Sequence, residues 1–394
     1  MSIYAHLLGD SDIELWGLTS RERLRRQVAE LPDAVLVDQL GTVPEDATVI
    51  CIRADYLFES RTIKALAERG RAVLVCPNDG EAAALVSTGR EAAQLVPLLE
   101  GATTDHDLPT LAPADLAAYE DRLRKAEEPL LLPIAEEDRG ELEDRLYGRS
   151  YKGITDLVTK WLWPRPARHA VRVCARLGIT PNMVTLAGLL LVVYAGFAFY
   201  QGDYWLGLAA GWFMTFLDTV DGKLARVTVS SSRIGHVLDH GMDIVHPPFW
   251  YVLWGMSLDD SVFSVPLLEY YWWIVAGYVG GRLIEAAFHG LGSCSLFDWR
   301  PFDAYFRLVT ARRNPCLILM LVAMLLGSPG GAFLAVVFWT VGTTVVLMIR
   351  LLQATLARMS DGPLSSWLTE PSAATAYPRA FRTFSRTRGA YVQR

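Results

Sequence analysis

The stretch that decides the reading of this chain is Asp218-Thr-Val-Asp221-Gly222-Lys223-Leu-Ala225-Arg226, followed after eight residues by Gly235-His236-Val-Leu-Asp239-His240-Gly-Met-Asp243. Four aspartates bracket a turn of small residues, and apolar runs long enough to cross a bilayer flank it. Charge in or beside hydrocarbon costs roughly 2.5 kcal/mol or more per residue. Four acids there need a compensating partner, and a divalent cation is the simplest. On a helix Asp218 and Asp221 are three apart and Asp239 and Asp243 four apart, so each pair shares a face. If the two helices pack side by side, the carboxylates converge. Carboxylate oxygens suit hard cations such as Mg²⁺, Mn²⁺ or Ca²⁺, and neutralising four acids calls for two ions. Gly222, Ala225 and Gly235 leave room for a bulky ligand, and the planar fork of Arg226 suits a phosphate. Together these residues describe a pyrophosphate site. Taken singly, an Asp pair can be a surface feature and small residues can serve helix packing.

Working outward, hydrophobic residues make up 52% of the 394, and they are concentrated after position 180. Apolar spans run over about 183–200, 204–220, 235–257, 265–288, 314–328 and 331–352, several near the ~20 residues that cross a bilayer. Loops 201–203, 257–261 and 327–331 hold no Lys or Arg, whereas the alternate loops hold Lys223, Arg226, Arg233, Arg300, Arg307, Arg312 and Arg313. Positive charge on one side only fits six spans and places the aspartates, both termini and the N-terminal region in the cytosol. Ahead of the first span, Lys152, Lys160, Arg165, Arg168, Arg172 and Arg176 interleave with Trp161 and Trp163, the composition of a helix lying in the headgroup layer, broken by Pro164 and Pro166. Thr180-Pro181-Asn182 reads as the head of the first span.

Residues 1–135 alternate strand-like and helix-like patterns: 34–37, 47–52 and 72–76 as strands, a helix capped by Ser20 and a helix over 58–69. This predicts a small parallel α/β layer fold. Residues 113–146 are charged and read as linker helices. The expected organisation is an α/β domain over 1–135, a linker and interfacial helix over 136–179, a six-helix membrane domain over 180–355 and a flexible basic tail over 356–394. The five cysteines are irregularly spaced with no CxxC, which argues against a disulfide framework or zinc site. The acidic N-terminus lacks the basic start of a signal peptide. No basic stripe marks a nucleic-acid surface.

The pattern Asp-x-x-Asp-Gly-x-x-Ala-Arg-x8-Gly-x-x-x-Asp-x-x-x-Asp resembles the signature of the CDP-alcohol phosphotransferase family at every motif position, and Pro181-Asn182 with Thr185 resembles that family's entry to its first span. The likeness covers about 150–355 and implies an integral enzyme of the cytoplasmic membrane, usually a homodimer. It implies a CDP-linked donor whose pyrophosphate lies on two Mg²⁺ or Mn²⁺ ions held by Asp218, Asp221, Asp239 and Asp243, with cytidine against Gly222, Ala225 and Arg226. It implies Asp243 as the base that takes the acceptor's proton, with CMP leaving. Segments 16–24 and 53–58 resemble a sugar-nucleotide or cytidylyltransferase domain, where Asp55 matches a Mg²⁺ aspartate. The glycine-rich phosphate loop of that family has no counterpart here, so a degenerate, structural domain is expected.

Arg282, Arg307, Arg312 and Arg313 are the candidates for holding a phosphorylated acceptor such as inositol phosphate, with CDP-diacylglycerol the expected donor. A soluble CDP-alcohol donating to a lipid hydroxyl of diacylglycerol or ceramide is the alternative. A divalent-cation transporter would use the same carboxylates, but the acids cluster at one membrane edge. A bifunctional enzyme would need CTP turnover by 1–135. Lys223 could touch phosphate, and His236, His240 and His246 lie near the site as helix-lining residues rather than ligands.

Overall fold

The computed structural model describes residues 2–116, 119–231, 233–292 and 294–385, without the side chains of 233, 234, 236–240 and 262. It divides into two compact units, one of Met1–Glu120, Ala126–Arg149 and Arg226–Ser230, the other of Asp121–Lys125, Ser150–Ala225 and Ser231–Arg394.

The first unit is built on strands β1 (Ile3–Leu8), β2 (Ala34–Leu36), β3 (Thr48–Arg53), β5 (Ala72–Val75), β6 (Ala82–Thr88) and β7 (Thr110–Leu111), in the order β2-β1-β3-β6-β5-β7. β4 (Tyr56–Phe58) pairs separately with Leu131–Pro133. The sheet is mixed rather than parallel: β1 runs parallel to β2 and β3, but β6 is antiparallel to both β3 and β5. The reason lies in Pro77-Asn-Asp-Gly80. It does more than end a strand, because Gly80 at φ +79° lets the chain reverse into β6. Period-2 alternation gives the sheet two buried faces. Ile50, Ile52, Leu74 and Val86 pack with Leu24 and Val28 of α1 (Ser20–Ala29) and Ile63 and Leu66 of α2 (Ser60–Arg69). Val49, Cys51, Val73 and Leu85 pack with Leu95 and Leu99 of α3 (Gly89–Leu99). Thr19, not Ser20, caps α1, accepting from the Glu22 N–H.

Among the described residues of 113–133 there is one 3₁₀ turn, Pro113–Asp115, and otherwise short strands and turns, and the α-helix is confined to α4 (Arg139–Arg149). Part of the charge there enters ion pairs: Arg149 meets Glu59 at 2.9 Å and Glu127 at 3.7 Å, all largely buried. Trp16 is buried against α4, its ring nitrogen donating to the Glu143 carbonyl at 3.0 Å. Within this unit Arg23 and Arg26 donate to the carbonyls of Val227 and Thr228 at 2.8 and 2.9 Å.

The second unit is helical: α5 (Pro164–Arg176), α6 (Pro181–Tyr200), α7 (Tyr204–Val227, whose last two residues belong to the first unit), α8 (Arg233–Met256), α9 (Leu267–His289), α10 (Pro301–Val309), α11 (Arg313–Leu325) and α12 (Pro329–Asp361). Pro164 and Pro181 stand at first-turn positions, and Thr180 caps α6 by accepting from the Met183 N–H. Among the described residues α6 and α12 are long and apolar enough to cross a membrane, and α10 with α11 makes a third candidate bent by 47°. That bend, which lies ahead of the expected fifth span over 314–328, is stabilised by α12. Thr343 accepts from the Ala311 N–H at 3.1 Å and Trp339 donates to the Val309 carbonyl at 2.7 Å, satisfying backbone groups at the break. The core joins Phe199, Met214, Trp250, Trp254, Leu317 and Phe333. A Cβ at Gly207 would lie 2.3 Å from the Phe199 ring, so α6 and α7 approach closely only because that side chain is missing.

Two expectations near the ends of this unit are corrected. Lys160 does not face headgroups. It is buried, donates to the Gly153 carbonyl at 2.7 Å and lies over the Phe384 ring, and burial lowers it to about 8. Trp161 and Leu162 beside it stay exposed, as an interfacial segment requires. The tail is not a flexible arm as far as Ser385. Trp367 and Phe384 are fully buried, with the short helices α13 (Ala373–Ala376) and α14 (Pro378–Phe384) following Trp367 and Phe384 ending the second.

Candidate functional site

Asp218 and Asp221 are three residues apart near the end of α7, and Asp243 lies in α8. Asp221 is buried and fixed: Thr185 Oγ1 of α6 donates to its Oδ2 at 2.7 Å. The Thr180-Pro181 head of α6 thereby sets a motif carboxylate as well as starting a helix. Asp218 and Asp243 are drawn together by one cation. Arg313, the first residue of α11, donates through Nη2 to Asp218 Oδ2 at 2.5 Å and through Nη1 to Asp243 Oδ1 at 2.7 Å. The Arg313 side chain is 11% exposed and that of Asp243 is 46% exposed, so the pair opens on the Asp243 side.

Asp239, His236 and His240 lie outside the residues whose side chains are described. Among the described residues no three His, Cys, Asp or Glu side chains converge as a metal-ligand set. The donor chemistry nevertheless suits a hard cation. Two carboxylates from different helices already share one positive charge, and a third sits one turn away on α7. Gly222 and Ala225 lie half-buried on α7, Gly235 is half-buried in α8 and Arg226 is exposed. Lys223 is buried with its ammonium 3.9 Å from the Tyr151 ring centre, a cation–π contact that explains its charge without a phosphate. His246 is buried against Trp250 and its Nδ1 meets the Met242 carbonyl at 2.6 Å.

The four arginines proposed from sequence do not act as one group. Arg313 goes to the aspartates. Arg282 and Arg312 both pair with Glu285, Arg282 at 3.7 Å. Arg307, on α10, lies over the Phe297 ring at 5.4 Å, and its Nε and Nη1 are buried without a hydrogen-bond partner among the described residues. Sequence reasoning missed Asp156 and Asn314. Asn314 Nδ2 donates to Asp156 Oδ1 at 2.9 Å, while the same oxygen caps the N–H groups of Val158 and Thr159 at 3.0 Å. This anchors the residue next to Arg313. The available signal was a lone acid in the apolar run Ile154-Thr-Asp-Leu-Val158.

In the α/β unit Asp55 is held by Arg53 at 2.7 and 3.0 Å from two residues away. That carboxylate is engaged locally by its neighbour.

Residues 178–289 match the family model described as CDP-alcohol phosphatidyltransferase. The chain carries a CDP-alcohol phosphatidyltransferase domain. The match covers α6 to α9 and therefore all four motif aspartates. Over 101 residues the chain is 39% identical to the archaetidylinositol phosphate synthase of Pyrococcus horikoshii, covering 25% of this chain and 51% of that protein. It is 32% identical over 88 residues to the phosphatidylinositol phosphate synthase of Mycolicibacterium smegmatis, covering 22% of this chain and 40% of that protein. It is 30% identical over 156 residues to human cholinephosphotransferase 1, covering 38% of this chain and 36% of that protein. The chain thus spans about half or less of the length of these relatives.

Proposed function

We propose that this chain is a membrane transferase that moves a phosphatidyl-type group from a CDP-linked lipid to a phosphorylated alcohol such as inositol phosphate, releasing CMP. The observation that carries this reading is the joining of Asp218 and Asp243 on one cation within the CDP-alcohol phosphatidyltransferase domain, with Asp221 fixed beside them. Asp218, Asp221, Asp239 and Asp243 would hold Mg²⁺ or Mn²⁺. When bound, the ions supply charge neutralisation for the pyrophosphate. Gly222 and Ala225 leave space for the cytidine, and Arg226 is the arginine that the family resemblance sets beside it. Asp243 takes the acceptor's hydroxyl proton. The acceptor oxygen forms a bond to the donor's β-phosphorus, and the bond from that phosphorus to the CMP oxygen breaks with its electron pair leaving on CMP.

A lipid donor is supported by an apolar groove of about 600 Å³ lined by Leu157, Trp161, Trp163, Trp212 and Ile318 among others. Trp212 lies on the same helix as Asp218, and Ile318 on the same helix as Arg313. We place α6 to α9, the α10–α11 pair and α12 as six spans, with the motif on the cytosolic side as the loop charges require. A homodimer is the assembly that the family resemblance implies. The α/β unit is assigned a structural role, because Asp55 is taken up by Arg53.

The likeness to cholinephosphotransferase 1 favours a second reading, with a phospho-alcohol head group moving from a soluble CDP-alcohol to a lipid hydroxyl. The deciding experiment follows CMP release by purified protein with Mg²⁺ or Mn²⁺. One arm offers CDP-diacylglycerol with inositol phosphate, the other CDP-choline with diacylglycerol. CMP in the first arm supports the main reading and CMP in the second alone replaces it. Ion flux without CMP in either arm would return the protein to the transporter class.

Arg307 gives this reading a finer test. Its buried, unused N–H groups suit a phosphate oxygen. A charged hydrogen bond is worth about 1.5–3 kcal/mol, so Arg307→Gln should raise the acceptor KM about 10- to 100-fold. The donor KM should stay within a factor of about two. Equal rises in both would remove Arg307 from the acceptor site.

A further inference from the structure

Arg313 is joined to Asp218 and Asp243 across 95 and 70 residues of sequence, and nothing local dictates the contact. Its helix end is pinned, because Asn314 is bonded to Asp156 and Cys316 N–H to the Arg312 carbonyl. The guanidinium is largely buried while its Nε has no hydrogen-bond partner among the described residues. It is therefore well placed for the carboxylates and incompletely satisfied. Two carboxylates brought this close would repel each other, and a cation between the two removes that repulsion. A divalent ion on the same oxygens would meet a guanidinium already there, and two cations at such short range repel strongly.

We propose that Arg313 is a built-in counter-cation: it holds Asp218 and Asp243 together and competes with a divalent ion for their oxygens, so that it is displaced when the ion binds. This rests on the metal reading given above and adds an ordering to it. The ion exchanges with an arginine rather than entering an open site. The displaced fork, carrying its unused Nε–H, becomes available to a phosphate oxygen of the arriving substrate. Metal loading and substrate capture are then linked through one side chain. The affinity for metal is lower than the carboxylates alone would give, which favours loading together with the CDP donor. Arg313 is in this sense a positioning residue, acting through the two aspartates.

The test titrates full-length purified protein with Mn²⁺ and reads free Mn²⁺ by electron paramagnetic resonance, with thermal unfolding measured alongside. Arg313→Gln should bind Mn²⁺ at least 10-fold more tightly than wild type. Its metal-free Tm should be lower and its Mn²⁺-induced rise in Tm larger. Arg313→Lys keeps the charge but not the two-pronged grip, so its affinity should fall between the two. If Arg313→Gln does not fold, Arg313→Lys carries the comparison alone. Mn²⁺ binding that is unchanged or weaker in the folded variants overturns the proposal while leaving the metal site in place. Absence of Mn²⁺ binding in wild type and variants alike overturns the metal reading itself, and this proposal with it.

Discussion

Asp243→Asn is expected to lower turnover by about 10²- to 10⁴-fold, the range that a positioned general base contributes, while binding of the CDP donor persists. The geometry separates this aspartate from its neighbours. Asp221 is buried and tied to Thr185, so its carboxylate is fixed and shielded. Asp243 is the more open carboxylate, held through one oxygen by Arg313. An acceptor hydroxyl can approach it without displacing the fixed acid. Asparagine keeps the shape and can still meet a cation through its carbonyl oxygen, but it cannot take a proton at neutral pH. Equilibrium binding of a CDP donor, measured beside single-turnover CMP release, separates the two effects. Loss of donor binding with residual turnover would remove the base role from Asp243 and leave it a ligand alone. Asp221→Asn should do the reverse, weakening donor binding first, because it removes charge from the fixed carboxylate.

Much of this site is legible in the chain because its chemistry is local. The spacing of Asp218 and Asp221 is set by helical periodicity, and Thr180-Pro181 announces the head of α6. What could not be read is non-local. Arg313 carries the same positive charge as the other loop arginines, and topology alone accounts for all of them. Only the packing of α11 against α7 and α8 selects Arg313 for the aspartates and leaves Arg312 to Glu285. The bend between α10 and α11 depends on Thr343 and Trp339, some 30 residues away. In the α/β unit β6 (Ala82–Thr88) is a strand that the sequence reading did not include, and its direction could not have been read either, because period 2 is the same for parallel and antiparallel strands. The tail was misread because its Ser, Thr and Arg content masks Trp367 and Phe384, which are the residues that anchor it.

Arg350→Met is expected to destabilise the helical unit by about 3–5 kcal/mol, the usual cost of stripping one partner from a buried ion pair. Arg350 of α12 meets Asp303 of α10 through two parallel bonds of 2.6 and 2.7 Å, and Asp303 is fully buried. The guanidinium also lies 4.5 Å from the Trp299 ring centre, so Arg350 supplies both charge and packing. Removing it leaves a carboxylate with no route to water. Arg350→Lys should be milder, since it keeps the charge but loses the planar fork and the stacking. Asp303→Asn combined with Arg350→Met should recover most of the loss, because the penalty belongs to the orphaned charge rather than to the missing bond. Unfolding of detergent-purified protein reads all three, and an Arg350→Met variant as stable as wild type would show that Asp303 is relieved by another group. The pair also has a consequence for chemistry. Arg307 stands one turn beyond Asp303 on the same short helix, so loosening that helix should raise the acceptor KM before it affects the aspartates on α7 and α8. Restoration of both stability and acceptor KM in the double variant would tie the acceptor's arginine to the Asp303–Arg350 anchor.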